Sequence, residues 1–380
     1  MKEVILHIGF HKTGSTSIQS ALKGYDKSGV KYASFHEENH SIPIYTIFSE
    51  NRYNYHIWQR EGLSKSDIDF KKNEYLEILH NELGNGTASK LIISGEDMSV
   101  LQPSEVDYLA STIKSYGVNV KVICYVRHPL SWVASNTQER VKAGMKIVNT
   151  GSIFRAAIEN YINSFGDDSV FVFDFERETN KHNSVVRHFS KILSLNIKEP
   201  KRANEGMTAV EFALLSELNE ASRSLPIMKS REVIISEIRS TVSEMILNEN
   251  LQRREIEKNF FLGLLGESIP EECVWLSERF GIKYEIPHRE TDICIREYIR
   301  NTLNDSFGAI ANLFHNMGLL YDLNMSLQDN FLRAYIALEA NYIDFSAVGY
   351  LKKNPDVRAA GVNPYRHYLE FGISEGRCTK

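Results

Sequence analysis

The stretch Val4-Ile5-Leu6-His7-Ile8-Gly9-Phe10-His11-Lys12-Thr13-Gly14-Ser15-Thr16-Ser17-Ile18-Gln19-Ser20 decides how the rest of the chain is read. Its apolar run, Val4 to Ile8, breaks at Gly9 into a polar loop, and Ile18, Ala21 and Leu22 then resume at helical spacing. That is how a buried strand hands over to a helix. Gly9 and Gly14 give the turn its backbone freedom. Thr13, Ser15, Thr16 and Ser17 place hydroxyls beside the unpaired N–H groups of the helix's first turn, and Lys12 adds a positive charge. A loop built this way is an anion cradle; the plainer alternative is a strand-to-helix turn whose lysine faces solvent.

Working outward, Val30–Phe35 reads as a second strand and 36–56 as an irregular loop over a cleft, its histidines His36, His40 and His56 better suited to packing or surface than to substrate. Asp69–Leu83 has the pattern of an amphipathic helix. The short strand Leu91–Ile93 ends in Ser94-Gly95-Glu96-Asp97, which sets a carboxylate pair at a strand's carboxyl end, where open parallel sheets collect ligands. Ser104–Asp107 resembles a capping box. A strand over Val118–Val126 runs into Arg127-His128-Pro129; the proline predicts a helix start there, with Ser131 and Ser135 on one face. A helix over Ile153–Phe165 and a strand over Val170–Phe173 follow.

This alternation predicts an α/β fold, a P-loop-like parallel β-sheet flanked by helices, over residues 1–200. Thr208-Ala209-Val210-Glu211 reads as a capping box opening a largely helical part, residues 205–330, with helices over Ser230–Asn250, Leu251–Leu265, Glu271–Phe280 and Ile293–Met317. These segments together form the expected main domain, 1–330. Residues 331–380, dense in aromatics (Tyr335, Tyr342, Phe345, Tyr350, Tyr365, Tyr368, Phe371), read as a small helical module resembling one appended to bacterial surface and glycan-related proteins, or as a helical cap with an aromatic core.

Composition narrows the function. The 380 residues are 42% hydrophobic with a net charge of −5, which suits a globular protein and argues against a nucleic-acid binder, so any anion site must be local. Cys124, Cys273, Cys294 and Cys378 are too scattered for a disulfide framework or a paired zinc motif. The amino-terminal residues carry no secretion-signal pattern and no apolar run is long enough to cross a bilayer, so a cytoplasmic enzyme is the expectation.

The lysine's position carries the next step. A nucleotide triphosphatase loop, G-x-x-x-x-G-K-[ST], has its lysine after the second glycine, whereas here Lys12 precedes Gly14 by two residues. Lys12-Thr13-Gly14-Ser15-Thr16 resembles the 5′-phosphosulfate loop of sulfotransferases that use 3′-phosphoadenosine 5′-phosphosulfate (PAPS). Arg127 at a strand end, with Ser135 eight residues on, resembles the 3′-phosphate site of the same superfamily, and an arginine fork matches phosphate oxygens bidentately. The continuations Gln138-Glu139-Arg140-Val141-Lys142-Ala143-Gly144 and Asn204-Glu205-Gly206-Met207-Thr208 look like its bacterial carbohydrate-type branch. Ile18 departs from the aromatic residue that follows the loop in many enzymes acting on small phenols and alcohols.

The resemblance implies a PAPS-dependent sulfotransferase, yielding adenosine 3′,5′-bisphosphate, with a saccharide or glycoconjugate hydroxyl as acceptor. It implies a donor site of His11, Lys12, Thr13, Gly14, Ser15, Thr16, Ser17, Arg127 and Ser135, with Arg202, Asn204 and their neighbour Lys201 as a late segment over the nucleoside. Lys12 would stabilise charge on the bridging oxygen and Glu96 would take the acceptor's proton, with Asp97, then His7, His11 and His128, as alternatives. No metal is expected in this chemistry. Two other readings remain: a P-loop kinase of small molecules, and a glycan-binding scaffold with a degenerate transferase domain.

Overall fold

The computed structural model describes residues 2–199, 206–223, 225, 229–248, 250–287, 294–340 and 345–377. The chain opens with β1 (Glu3–His7), α1 (Ser15–Leu22), the hairpin β2 (Asp26–Lys27) and β3 (Val30–Tyr32), then α2 (Ser41–Phe48), α3 (His56–Glu61) and α4 (Lys65–Gly84). Next come β4 (Lys90–Ser94), α5 (Pro103–Lys114), β5 (Asn119–Val126), α6 (Pro129–Lys142), α7 (Arg155–Phe165), β6 (Val170–Asp174), α8 (Phe175–His182) and α9 (Val185–Leu193). The remainder is helical: α10 (Ala209–Ala221), α11 (Lys229–Leu247), α12 (Ile269–Phe280), α13 (Ile295–Asn304), α14 (Phe307–Asn316), α15 (Leu327–Ala340), α16 (Ala347–Lys353), α17 (Pro355–Ala359) and α18 (Pro364–His367).

The six strands lie in the order β2-β3-β4-β1-β5-β6, parallel except for the β2–β3 hairpin, so the fold is an α/β parallel sheet flanked by helices. Alternate side chains feed two cores. Val4 and Leu6 of β1 join Leu91, Ile93, Val122 and Cys124 on one face, while Ile5 joins Ile92, Ile123 and Tyr125 against α1 and α9 on the other. A sheet covered on both faces needs strands that are apolar throughout, which is why they read as runs rather than alternations. The connection leaving β4 crosses β1 to reach β5, so the carboxyl ends of β4, β1 and β5 open side by side where the strand order reverses.

The chain divides into two compact units: Met1–Val133 with Thr150–Asn204 and Leu265–Pro287, and Ala134–Asn149 with Glu205–Leu264 and His288–Lys380. In the first, α12 is anchored by Glu272, 1% exposed, whose carboxylate accepts the backbone N–H groups of Ile153, Phe154 and Arg155 at the start of α7. In the second, α10 is central. Phe212, Ala213, Leu214, Leu215 and Leu218 are buried around its circumference against α11, α13 and α15, behind the Thr208–Glu211 capping box anticipated from sequence.

Three expectations are corrected. The stretch 36–56 holds α2, whose residues SIPIYTIF are buried on most sides, and a helix apolar nearly all round shows no amphipathic period to read. His40 there is 0% exposed and stacks on Tyr32, which makes it a packing residue. Leu251–Leu265 is not one helix: Ala209 N–H donates to the Arg254 carbonyl and Thr208 bridges Glu255, holding that backbone extended, and only a 3-10 segment, Lys258–Leu264, forms. Ile293–Met317 breaks between α13 and α14 at Asp305-Ser306, residues whose side chains compete for backbone groups.

The helix α15 runs through the boundary placed at 330. Beyond it, Phe345 meets the rings of Tyr350, Tyr365 and Tyr368 at 5.3, 5.2 and 5.1 Å, so these aromatics are buried in a core of their own. Tyr342 lies outside the described residues.

Candidate functional site

The loop between β1 and α1 is held from inside. Thr13 Oγ1 and Ser15 Oγ both donate to the Phe10 carbonyl, at 2.6 and 3.1 Å, and both residues are buried, so these two hydroxyls brace the loop, while Thr16 and Ser17 are exposed. Lys12 takes a left-handed backbone conformation, φ 64°, uncommon for a side-chain-bearing residue. Gly14 follows at φ 78° as the cap of α1; its carbonyl accepts the Ser17 N–H and no side chain caps that helix, which turns the helix start toward the loop.

Two neighbours hold the loop from outside. Arg127, at the end of β5, donates from Nη1 to the Lys12 carbonyl at 3.0 Å; its Nε faces Glu176 Oε1 at 3.4 Å and its guanidinium lies 5.5 Å from the Phe175 ring centre. Trp132 Nε1 donates to the His11 carbonyl at 2.8 Å. Arg127 and the Lys12 loop are therefore brought together. Ser135, half-buried, stands in the second turn of α6, on the part of that helix that groups with the second unit. Lys201, Arg202 and Asn204 lie outside the described residues.

At the end of β4 the two neighbouring carboxylates differ. Asp97 Oδ2 accepts the Tyr55 hydroxyl at 2.6 Å and Oδ1 pairs with His11 Nε2 at 2.9 Å. Burial alone would raise the Asp97 pKa, but the His11 hydrogen bond and charge outweigh it and hold the carboxyl below its usual range. In return, burial would lower the His11 pKa, but the bond and charge of Asp97, aided by Glu96, raise it. Glu96 instead accepts amides: Gln19 Nε2 at 2.8 Å on Oε2 and Asn39 Nδ2 at 3.4 Å on Oε1. Its position is enforced by Gly95, where a Cβ would fall 2.3 Å from the Ser41 backbone nitrogen.

The other two histidines serve elsewhere. His7 is 0% exposed, bonded through Nδ1 to Ser94 Oγ at 2.7 Å, and burial pushes its pKa down to about 3. His128 Nε2 lies 3.0 Å from the Glu285 carbonyl, so both ring nitrogens are engaged, Nδ1 accepting the Leu130 N–H. Sequence reading missed Gln19, Asn39, Tyr55, Trp132 and Glu176; of these only Gln19 left a mark, as a polar residue beside Ile18 on the inward face of α1. The second unit holds a cavity of about 870 Å³ lined by Lys146, Glu217, Arg223, Arg296 and Arg300 among others, and none of the described residues expected in the donor site borders it.

No family model and no curated protein matches the chain. Among solved structures it is similar to a sulfotransferase from Alicyclobacillus acidocaldarius, at 14% identity and a TM-score of 0.31, over 54% of this chain and 87% of that one. Among the described residues no helix is long and apolar enough to cross a membrane.

Proposed function

We propose that the protein is a sulfotransferase that moves a sulfuryl group from PAPS to a hydroxyl of a saccharide or glycoconjugate. The observation that carries this reading is the union of the Lys12 loop with Arg127, whose guanidinium donates to the Lys12 carbonyl at the adjoining carboxyl ends of β1 and β5. A strand-end lysine loop with an uncapped helix behind it suits one phosphate, and a nearby arginine suits a second. The resemblance of Gln138–Gly144 to the carbohydrate-type branch supports the acceptor class.

The chemistry divides among the chain's own residues. The acceptor oxygen forms its bond to sulfur as the bond from sulfur to the 5′-phosphate oxygen breaks, and the acceptor's proton leaves. Lys12 and the first-turn N–H groups of α1 stabilise the departing phosphate. His11, whose pKa the bond and charge of Asp97 raise, adds a second positive group to the same loop when protonated. Glu96 is the base. Asp97 is committed to its pair with His11, whereas the partners of Glu96, Gln19 and Asn39, are neutral amides that do not cancel its charge.

Isothermal titration with adenosine 3′,5′-bisphosphate and with ATP plus magnesium, followed by a sulfuryl-transfer assay with PAPS and a glycan panel, tests the reading. Tight bisphosphate binding with transfer is the expected result. Preference for ATP–magnesium, or Lys12→Ala and Arg127→Ala variants with unchanged binding and transfer, would overturn it.

A further inference from the structure

On the sheet face covered by α1 and α9, three side chains converge. Glu178 and His182 lie one turn apart on α8. The chain then reverses through Asn183, φ 62°, and Ser184, which caps α9, and this hairpin brings His188 back over them. Glu178 Oε2 is 3.6 Å from His182 Nε2 and 3.5 Å from His188 Nε2, and one ligand atom from each of the three lies within 4.8 Å of the others.

These separations are too long for hydrogen bonds, which for N–H···O close at about 2.7–3.2 Å. The two Glu178 separations are close to something else. Nitrogen and oxygen ligands about 2.0–2.2 Å from a tetrahedral zinc ion stand about 3.3–3.5 Å from each other. Glu178 and His188 are buried, at 6% and 5% exposure, while the His182 side chain, at 15%, leaves a way in.

The surroundings favour a ligand set. His188 Nδ1 lies 2.9 Å from the Tyr125 hydroxyl, which fixes the ring with Nε2 toward Glu178, as an outer partner does for a metal-bound histidine. Arg177, on the other Glu178 oxygen, and Lys181 and Lys191 oppose a cation, but all three are exposed and solvent-screened.

We propose that Glu178, His182 and His188 bind a zinc ion, with water as the fourth ligand, and that the ion staples the α8–α9 hairpin beneath the anion loop. The hairpin is tied to that loop: a Cβ at Gly14 would fall 2.8 Å from Val185 Cγ1, and Glu176 and Phe175 both meet Arg127. The proposal stands whether or not the sulfotransferase reading holds.

The test uses full-length protein stripped with dipicolinate and titrated with zinc by calorimetry, with cobalt(II) as a spectroscopic probe. The expected result is a single saturable zinc per chain, intense visible cobalt bands of a four-coordinate nitrogen–oxygen site, a higher melting temperature with zinc, and loss of all three in His182→Ala and His188→Gln. His182→Ala alters only the partly exposed helix end, so it gives a folded comparison if His188→Gln does not fold. Failure of the stripped wild-type protein to take up zinc, or uptake undiminished in His182→Ala, would overturn the proposal.

Discussion

The strand edge of the first unit and the cavity of the second both gather charged side chains, and they handle them in opposite ways. At the strand edge, polar side chains reach backbone carbonyls: Arg127 that of Lys12 and Trp132 that of His11 from other elements, and Thr13 that of Phe10 within the loop. Around the cavity, charged ends are met by other side chains, Arg223 by Glu220 three positions earlier and Glu217 by Gln328 of α15. The first arrangement fixes donors and charges before anything binds, which is where electrostatic stabilisation of a transition state comes from. The second offers volume with little prearranged direction. Room for a ligand and readiness for chemistry are separate properties, and here they sit in different units.

The sharpest way to break the comparison is at Lys12. Lys12→Ala is expected to lower the transfer rate by about 100- to 1000-fold, the usual scale for one group stabilising a developing anion. A rate assay with labelled PAPS measures it. Glu96→Gln is expected to reduce turnover by about 100-fold while bisphosphate affinity stays within about twofold, separating base from binding residue. Arg127→Ala is expected to weaken the bisphosphate by about 10- to 100-fold, and Arg127→Lys to recover little, since an ammonium has no fork.

A subtler effect follows from the His11–Asp97 pair. The His11 pKa is raised in the folded protein, so its cationic form, with the anion affinity it lends, is present below that value and is lost as pH rises through it. Titrating bisphosphate affinity against pH should show this limb, and Asp97→Asn should move it to lower pH. The smallest effect is expected in the second unit: Arg300→Ala, on the cavity wall, should leave bisphosphate affinity within about twofold, and a larger loss would join what the comparison keeps apart.

What was legible in the sequence follows the same division. A strand-to-helix handover puts its glycines, hydroxyls and lysine next to one another, so the Lys12 loop, Glu96 and Arg127 were readable as strand-end residues before their contacts were known. The residues that hold them, Asn39, Tyr55, Trp132 and Glu176, arrive from other elements, and nothing in their own surroundings marks them. The segment 36–56 hid a helix because α2 is buried on most sides. In the helical part Thr208–Glu211 was legible from its capping chemistry, whereas Leu251–Leu265 was misread because a backbone bridge from Thr208 overrides its local preference.

The tight passage at Gly95 has a consequence for redesign. Because the end of β4 leaves no room for one carbon beside Ser41, the segment that carries Asn39 and α2 and the turn that carries Glu96 and Asp97 are not independent modules. Exchanging 36–56 for a stretch of another protein would move the carboxylates as well. Under the proposed function, acceptor preference and proton removal would have to be re-engineered as one piece.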